Sequence, residues 1–464
     1  MYTKKAVFAF SLCYLLSLSC ALGSNKIGVN YGRLGDNLPS PYQSIEHLIS
    51  MNVSHVKLYD ANPEVLKLLS RTKIHVSIMV TNEQISSIAS NQSHANLWVQ
   101  ENVISYYPDT KIQFVLVGNE VISYNDKKMW LDLAPAMRKI KKSLNKYDIH
   151  NIKVGTPLAM DILESSFPPS SGRFRSDIPS QVIVSLLKFL NATKSFYFLD
   201  VYPYFPWSAN PTNMSLDFAL MNSGNVTYKD PESGLVYTNL LDQMLDSVVF
   251  AMRKFGFDNI SIAISETGWP HAGDIDQPGA NAYNAATYNR NLVRKMTSYP
   301  PLGTPAKPGV EIPTFIFSLY DENQKSGPGT ERHWGLLENN GMPIYEVDFT
   351  GTRPENEYSE MAKPVSNMPY NGKIWCVAAN AASPMELAAA LDMACGQGNG
   401  TCDELAPGKG CYEPVSVIAH ASYAFSSYWA KFRSAGVPCY FNGLAVQTIT
   451  DPSHGSCQFP SVVV

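Results

Sequence analysis

The sequence predicts an α/β protein: a (β/α)8 barrel followed by a small, disulfide-stapled, mostly helical C-terminal domain. Three observations carry that expectation. Eight short apolar or aromatic-rich runs recur through the cysteine-free part of the chain, with helical patterns between them. Nothing between Gly23 and Trp375 carries a thiol, whereas six cysteines fall between Cys376 and Cys457. Between these two compositions lies a proline-bearing stretch of alternating charge at 351–372, the mark of a linker. At 464 residues and 45% hydrophobic, the chain is long enough for both parts.

The N-terminus opens with Lys4 and Lys5, an apolar run from Ala6 to Leu18, and small residues Ala21 and Gly23. This is the pattern of a secretory signal peptide over 1–23. The barrel is expected over 24–350. Its runs are 26–32, 56–61, 75–81, 113–120, 153–159, 196–205, 260–270 and 313–323. Most are continuously apolar, as strands buried on both faces are. Between them, Leu133, Met137, Ile140 and Leu144 recur at helical spacing, as do Leu241, Leu245, Val248, Met252 and Phe255. No glycine-rich phosphate loop follows the first run, which disfavours a doubly wound open sheet. The stretch 206–237, rich in Asn, Ser, Pro and Gly, reads as a surface excursion after the sixth strand, on the face where barrel enzymes place their sites.

Charge excludes some functions. Charged residues make up 16% of the chain, and 36 Lys+Arg against 40 Asp+Glu leave a net charge of −4, so no nucleic-acid partner is expected. After the N-terminal stretch no run approaches membrane-spanning length. Sequons at Asn52, Asn91, Asn191, Asn213, Asn225, Asn259 and Asn399 suit a secretory route. The expected product is extracellular.

Two runs end in a glutamate directly after apolar residues: Glu120 in VLVGNEV and Glu266 in IAISETG. Strands four and seven face each other across a barrel mouth, so these acids could approach from opposite sides, the arrangement of glycoside hydrolysis by paired carboxylates. One carboxyl must be protonated to donate to the departing oxygen, and the other ionised to attack the anomeric carbon. Asn119 is placed to bond a sugar hydroxyl, Tyr202 and Trp269 to wall the cleft, and Tyr31, Tyr59 and Phe205 are further aromatic candidates at run ends. Glu322 follows the eighth strand. No G-x-S-x-G elbow, H-E-x-x-H pair or P-loop occurs, and no cofactor or metal is implied.

The same residues carry a family resemblance. VGNEV, ISETGWP, SLYDENQKSG, IGVNYGRLGDNLPSP and VKLYDANP together resemble the plant family 17 glycoside hydrolases, the endo-1,3-β-glucanases. The resemblance implies Glu120 as proton donor, Glu266 as nucleophile of a retaining double displacement, and Glu322 and Lys325 as an accessory pair. Retention implies carboxyl groups roughly 5 Å apart. The expected substrate is 1,3-β-glucan such as callose, cleaved by a monomer in the cell wall or apoplast. Three positions depart from the family pattern: Tyr320 where Phe is common, His271 where Ser is common, and Asp200 where Asn is usual. A transglucosylase and an idle wall-binding glycoprotein remain as alternatives.

From 373 to 464 the sequence resembles the plant X8 module, carbohydrate-binding module family 43. That resemblance implies the pairing Cys376–Cys439, Cys395–Cys402 and Cys411–Cys457. Leu387, Leu391 and Ala394 mark one amphipathic helix, and Tyr423, Phe425, Tyr428 and Trp429 crowd a second. Tyr412, Tyr428 and Trp429 are the candidates for stacking on glucose, in a module that tethers polymer near the barrel.

Overall fold

The structure, a computed structural model, describes residues 27–222 and 226–464. The signal-like stretch 1–23 and the sequon residue Asn225 lie outside the described residues. Eight parallel strands form the barrel: β1 Ile27–Tyr31, β2 His55–Leu58, β3 His75–Val80, β4 Lys111–Val117, β5 in two halves (Lys153–Gly155 and Pro157–Ala159), β6 Tyr197–Asp200, β7 Ile262–Thr267 and β8 Thr314–Ile316. β5 is the seam. Its first half pairs with β4 and its second with β6, the chain turning at buried Thr156. β1 then joins β8 to complete the ring.

The barrel floor is packed by alternation of size. Phe114 on β4, Phe198 on β6 and Phe315 on β8 fill the interior together with Met79, Leu116 and Ala263. Small residues on the intervening strands make room. A β-carbon on Gly155 of β5 would lie 2.2 Å from the Phe198 ring, and one on Gly28 of β1 would lie 2.5 Å from Phe315. Those contacts explain glycine inside two strands, where it is otherwise unfavourable.

Eight longer helices surround the ring: α1 Pro41–Ser50, α2 Pro63–Leu69, α3 Ile85–Ser90, α4 Gln92–Val99, α5 Lys127–Lys146, α6 Ser180–Thr193, α7 Leu240–Lys254 and α8 Ala282–Met296. α1 starts at a capping box, Ser40 with Gln43, followed by Pro41. In α5 the residues Leu133, Met137, Ile140 and Leu144 are fully buried. In α7 the apolar stripe ends at Met252, because Phe255 is the C-cap, 37% exposed rather than on the buried face. The excursion after β6 folds into two short helical turns and a small antiparallel hairpin. Under it lies a cavity of about 740 Å³, walled largely by Met160, Phe167, Met214, Phe218 and Met244.

The C-terminal module is a three-stranded antiparallel sheet against two helices. β9 Lys373–Ala378 is central, flanked by β10 Ala445–Thr448 and β11 Val462–Val463. α9 Pro384–Gly398 and α10 Val417–Phe432 pack Leu387, Ala394, Phe425 and Trp429 on Ile374. Three disulfides, Cys376–Cys439, Cys395–Cys402 and Cys411–Cys457, staple this thin core. The segment 351–372, expected as a linker, is pinned along α8. Arg290 and Arg294 both reach Glu355, the Arg290 guanidinium lies 3.9 Å from the Tyr358 ring centre, and Asn281 and Asn284 donate to Asn367.

Gly155→Ala should destabilise the barrel by about 2 kcal/mol, since neither the β5 backbone nor the Phe198 ring has room to yield. Chemical denaturation checks this, and an unchanged midpoint contradicts the account of the floor.

Candidate active site

Glu266 arrives at the C-terminal mouth of the barrel through a bulge. Ile264 stands opposite Leu199 of β6, yet Glu266, two residues on, stands opposite Asp200, only one residue on. Strict alternation from inward-facing Ala263 would turn Glu266 outward; the extra residue re-aims it into the mouth. Glu120 arrives by another device. Beyond β4, Gly118 (φ 71°) and Glu120 (φ 49°) both adopt left-handed backbone. A β-carbon on Gly118 would meet Val121 at 2.5 Å. Asn82 clamps this turn, its Oδ1 accepting the Asn119 N–H (2.8 Å) and its Nδ2 donating to the Asn119 carbonyl (3.1 Å). The Glu120 N–H donates to the Pro157 carbonyl of β5 (3.1 Å).

The two carboxyls have opposite surroundings. Glu266 is 6% exposed, and Lys57, fully buried on β2, places Nζ 2.6 Å from its Oε1. Tyr59 donates to Oε1 (2.6 Å) and Tyr202 to Oε2 (2.7 Å). Burial pushes this carboxyl up, but the Lys57 charge and the three hydrogen bonds outweigh it and hold Glu266 below the usual range. Among the described residues Glu120 has no such partners. Burial, followed by repulsion from Glu266, pushes it up to about 7, against a smaller pull from Lys57. Asp200, paired in register with Glu266, is buried, and its Oδ2 has no hydrogen-bond partner among the described residues. Burial and the Glu266 charge raise it far above the carboxylate range, so it stays neutral while Ser265 Oγ bonds its Oδ1.

Both glutamates line a cavity of about 300 Å³. Tyr59, Asn119, Tyr202, Phe205 and Lys325 line it too. Two sequence candidates stand elsewhere. Trp269 is fully buried behind the wall, ringed by Tyr204, Trp207 and Tyr288, with Nε1 donating to the Gly279 carbonyl at 2.8 Å. Tyr31 is 3% exposed and packs on Tyr320. Trp334 and Phe317 form the aromatic wall instead, Trp334 edge-on to Tyr202 with ring centres 4.9 Å apart. Lys57, Glu331, Phe317 and Trp334 were not anticipated. Lys57 had a signal, since a lysine between Val56 and Leu58 in a buried run requires a counter-charge.

Glu322 acts from behind the cavity. Its Oε1 accepts the Leu34 N–H (2.8 Å) and its Oε2 lies 3.4 Å from Lys325 Nζ, which rests over the Phe317 ring at 4.1 Å. Gly32 permits this, because a β-carbon there would lie 2.4 Å from the Glu322 carboxylate. Of the three departures, Tyr320 and His271 find local partners, whereas Asp200 keeps its unpartnered oxygen. The Tyr320 hydroxyl meets His47 Nδ1 at 2.7 Å. His271 Nε2 lies 3.0 Å from both Asp321 oxygens, and His333 Nδ1 lies 3.2 Å from Oδ2, joining the loops after β7 and β8. Burial raises Asp321, but these histidine hydrogen bonds prevail and bring it to about 2. The ligand atoms of this trio lie within 4.8 Å of one another, close enough to hold a metal ion. In the module, Tyr412 and Tyr428 are partly exposed. Trp429 is not a platform: it is 1% exposed, packed in the core with Arg433 over its ring at 4.9 Å.

Comparison with known proteins adds to this geometry. Residues 27–349 match glycosyl hydrolases family 17, and residues 374–446 match the X8 domain. The chain is 59% identical to the probable glucan endo-1,3-beta-glucosidase A6 of Arabidopsis thaliana, over 95% of this chain and 92% of that protein. It is 37% identical to the glucan endo-1,3-beta-D-glucosidase of Olea europaea, over 94% of this chain and 93% of that one. Among solved structures, CJP38, a β-1,3-glucanase and allergen of Cryptomeria japonica pollen, superposes with a TM-score of 0.65 at 38% identity. It covers 70% of this chain and 99% of its own.

Lys57→Met tests the electrostatics. In the native protein the depressed Glu266 carboxyl contributes stability above its unfolded pKa and loses it as pH falls through the folded one. Without the ammonium, burial reverses the shift, so an uncompensated carboxylate destabilises the fold at neutral pH and is relieved by protonation in acid. The expected loss is about 3 kcal/mol near neutrality, shrinking towards about pH 4. Denaturation midpoints at the two pH values measure it; an equal loss at both rejects the assigned role of Lys57.

Proposed function

The chain belongs to glycosyl hydrolases family 17 and carries an X8 domain, and on that premise we propose that Glu266 is the nucleophile and Glu120 the proton donor of a retaining mechanism. The protein is an endo-1,3-β-glucanase with a C-terminal carbohydrate-binding domain. The observation that carries the assignment of roles is the electrostatic split between the two acids, one held low by Lys57, Tyr59 and Tyr202, the other raised to about 7.

Glu266 Oε1 takes two donors and Oε2 one. The less engaged Oε2 attacks the anomeric carbon while Glu120 gives its proton to the glycosidic oxygen, and the glucosyl–oxygen bond breaks. The product of this step is a glucosyl ester on Glu266 and a free sugar end. Glu120, now a carboxylate, takes a proton from water as the water oxygen attacks the same carbon, which restores Glu266 and releases the β-anomer. Asn119 Oδ1 is buried without a partner among the described residues, an acceptor suited to a sugar hydroxyl. Lys325, oriented by Glu322, adds positive charge at the cavity edge. Both acids and their cation come from one chain, which supports action as a monomer. The basic and apolar start of the sequence, together with three disulfides in the module, supports secretion to the cell wall or apoplast.

Glu266→Gln and Glu120→Gln should each lower hydrolysis of soluble 1,3-β-glucan at least about a thousandfold. Proton NMR of the wild-type reaction should show the β-anomer appearing first; initial α-anomer would falsify retention. The pH dependence of kcat/KM should be bell-shaped. Activity falls as pH rises through about 7, where Glu120 loses its proton, and falls in acid only below the usual carboxylate range, where Glu266 gains one. An alkaline limb that persists in Glu120→Gln assigns the proton donor elsewhere.

A further inference from the structure

The module is seated on the catalytic face of the barrel. Its contacts are to the loops that follow β7 and β8. Arg433 pairs with Asp276, the Gln447 Oε1 accepts the Ile275 N–H at 2.8 Å, and Ile275 packs against the module core. The Arg332 guanidinium lies 4.2 Å from the Tyr440 ring centre, while its NH1 donates to the Lys325 and Gly327 carbonyls at 2.9 and 3.1 Å. One arginine thus links a module aromatic to the loop that presents Lys325. With 351–372 held along α8, the module has a defined seat rather than a free tether.

Between module and barrel lies a cavity of about 620 Å³. One wall is the loop after β8, with Asn323 and Gln324; the other is the module, with Gln397, Tyr428, Tyr440 and Asn442. Lys325 lines both this cavity and the one that holds Glu120 and Glu266. The lining combines partly exposed rings and side-chain amides with the charged Asp36, Lys325 and Arg332; stacking faces among many hydrogen-bonding groups suit a hydroxyl-rich chain. The loop is ordered before any ligand arrives, since Asn323 and Gln324 both donate to Asp36 (2.7 and 3.1 Å).

Resting on the glucanase reading above, we propose that the module and the loop after β8 form a glucan-binding groove continuous with the catalytic cavity. The module therefore holds the same 1,3-β-glucan chain that the barrel cleaves, beyond the sugars at the two glutamates. This differs from a tethered module, which raises local polymer concentration through a separate site. A seated module extends the cleft and makes catalytic efficiency depend on chain length.

The test uses the full-length protein. Gln397→Trp fills the groove from an exposed position on α9, and Arg433→Ala weakens the seat without altering the groove lining. Kinetics are measured on a long linear 1,3-β-glucan and on a short 1,3-β-gluco-oligosaccharide. The expected result is a fall of about tenfold, in both variants, in the ratio of long-chain to short-chain kcat/KM, arising from KM on the long substrate. An unchanged ratio overturns the groove, whether activity is retained or lost equally on both substrates. Absence of any wild-type cleavage of either substrate would instead overturn the functional reading on which the groove rests.

Discussion

The buried ion pair between Lys57 and Glu266 organises the C-terminal mouth of the barrel. A carboxylate that is 6% exposed cannot remain ionised alone. Its stabilisation draws one lysine from β2, one tyrosine from the exit of β2 and one from the exit of β6 onto a residue of β7. The resulting fixed negative charge then acts on its neighbours. Added to burial, the larger cause, it helps raise both Asp200 and Glu120, so one satisfied charge biases two other acids towards their protonated forms.

Around this centre the loops are clamped in pairs. Asn82 holds the turn that carries Glu120, Glu322 joins the exit of β1 to Lys325, and Asp321 receives histidines from the loops after β7 and β8. The same two loops seat the module through Asp276, Ile275 and Arg332. Preorganisation of the candidate site and docking of the second domain therefore share their supports. Polar groups aimed at a reacting centre are effective when they need not reorganise during the reaction, and this continuous set of clamps supplies that rigidity.

Misplaced aromatics show where local reasoning stops. Trp269 follows directly on the strand that bears Glu266, yet its ring turns into the wall and bonds the Gly279 carbonyl. Trp334, from a loop with no periodic pattern, takes the cleft position instead. Trp429 has the composition of a sugar platform and the burial of a core residue. Large flat rings serve both uses equally well in a one-dimensional pattern, and only the packing partners separate them.

By itself the chain determined the barrel and the stapled module, and it offered a boundary at 351–372 and the two acids as expectations. Continuous apolar runs, cysteine distribution and a charge at the end of a buried strand are local signals with strong physical costs behind them. Tertiary structure alone decided the rest. The bulge that turns Glu266 inward depends on its pairing with β6, and the partnership of Lys57 with Glu266 spans two strands that are distant in sequence. The opposite protonation of Glu120 and Glu266, and the seat of the module against the loop after β8, are likewise sums over neighbours from many segments. Burial and Coulomb interactions act through space, so a sequence names the groups and the fold assigns their charges.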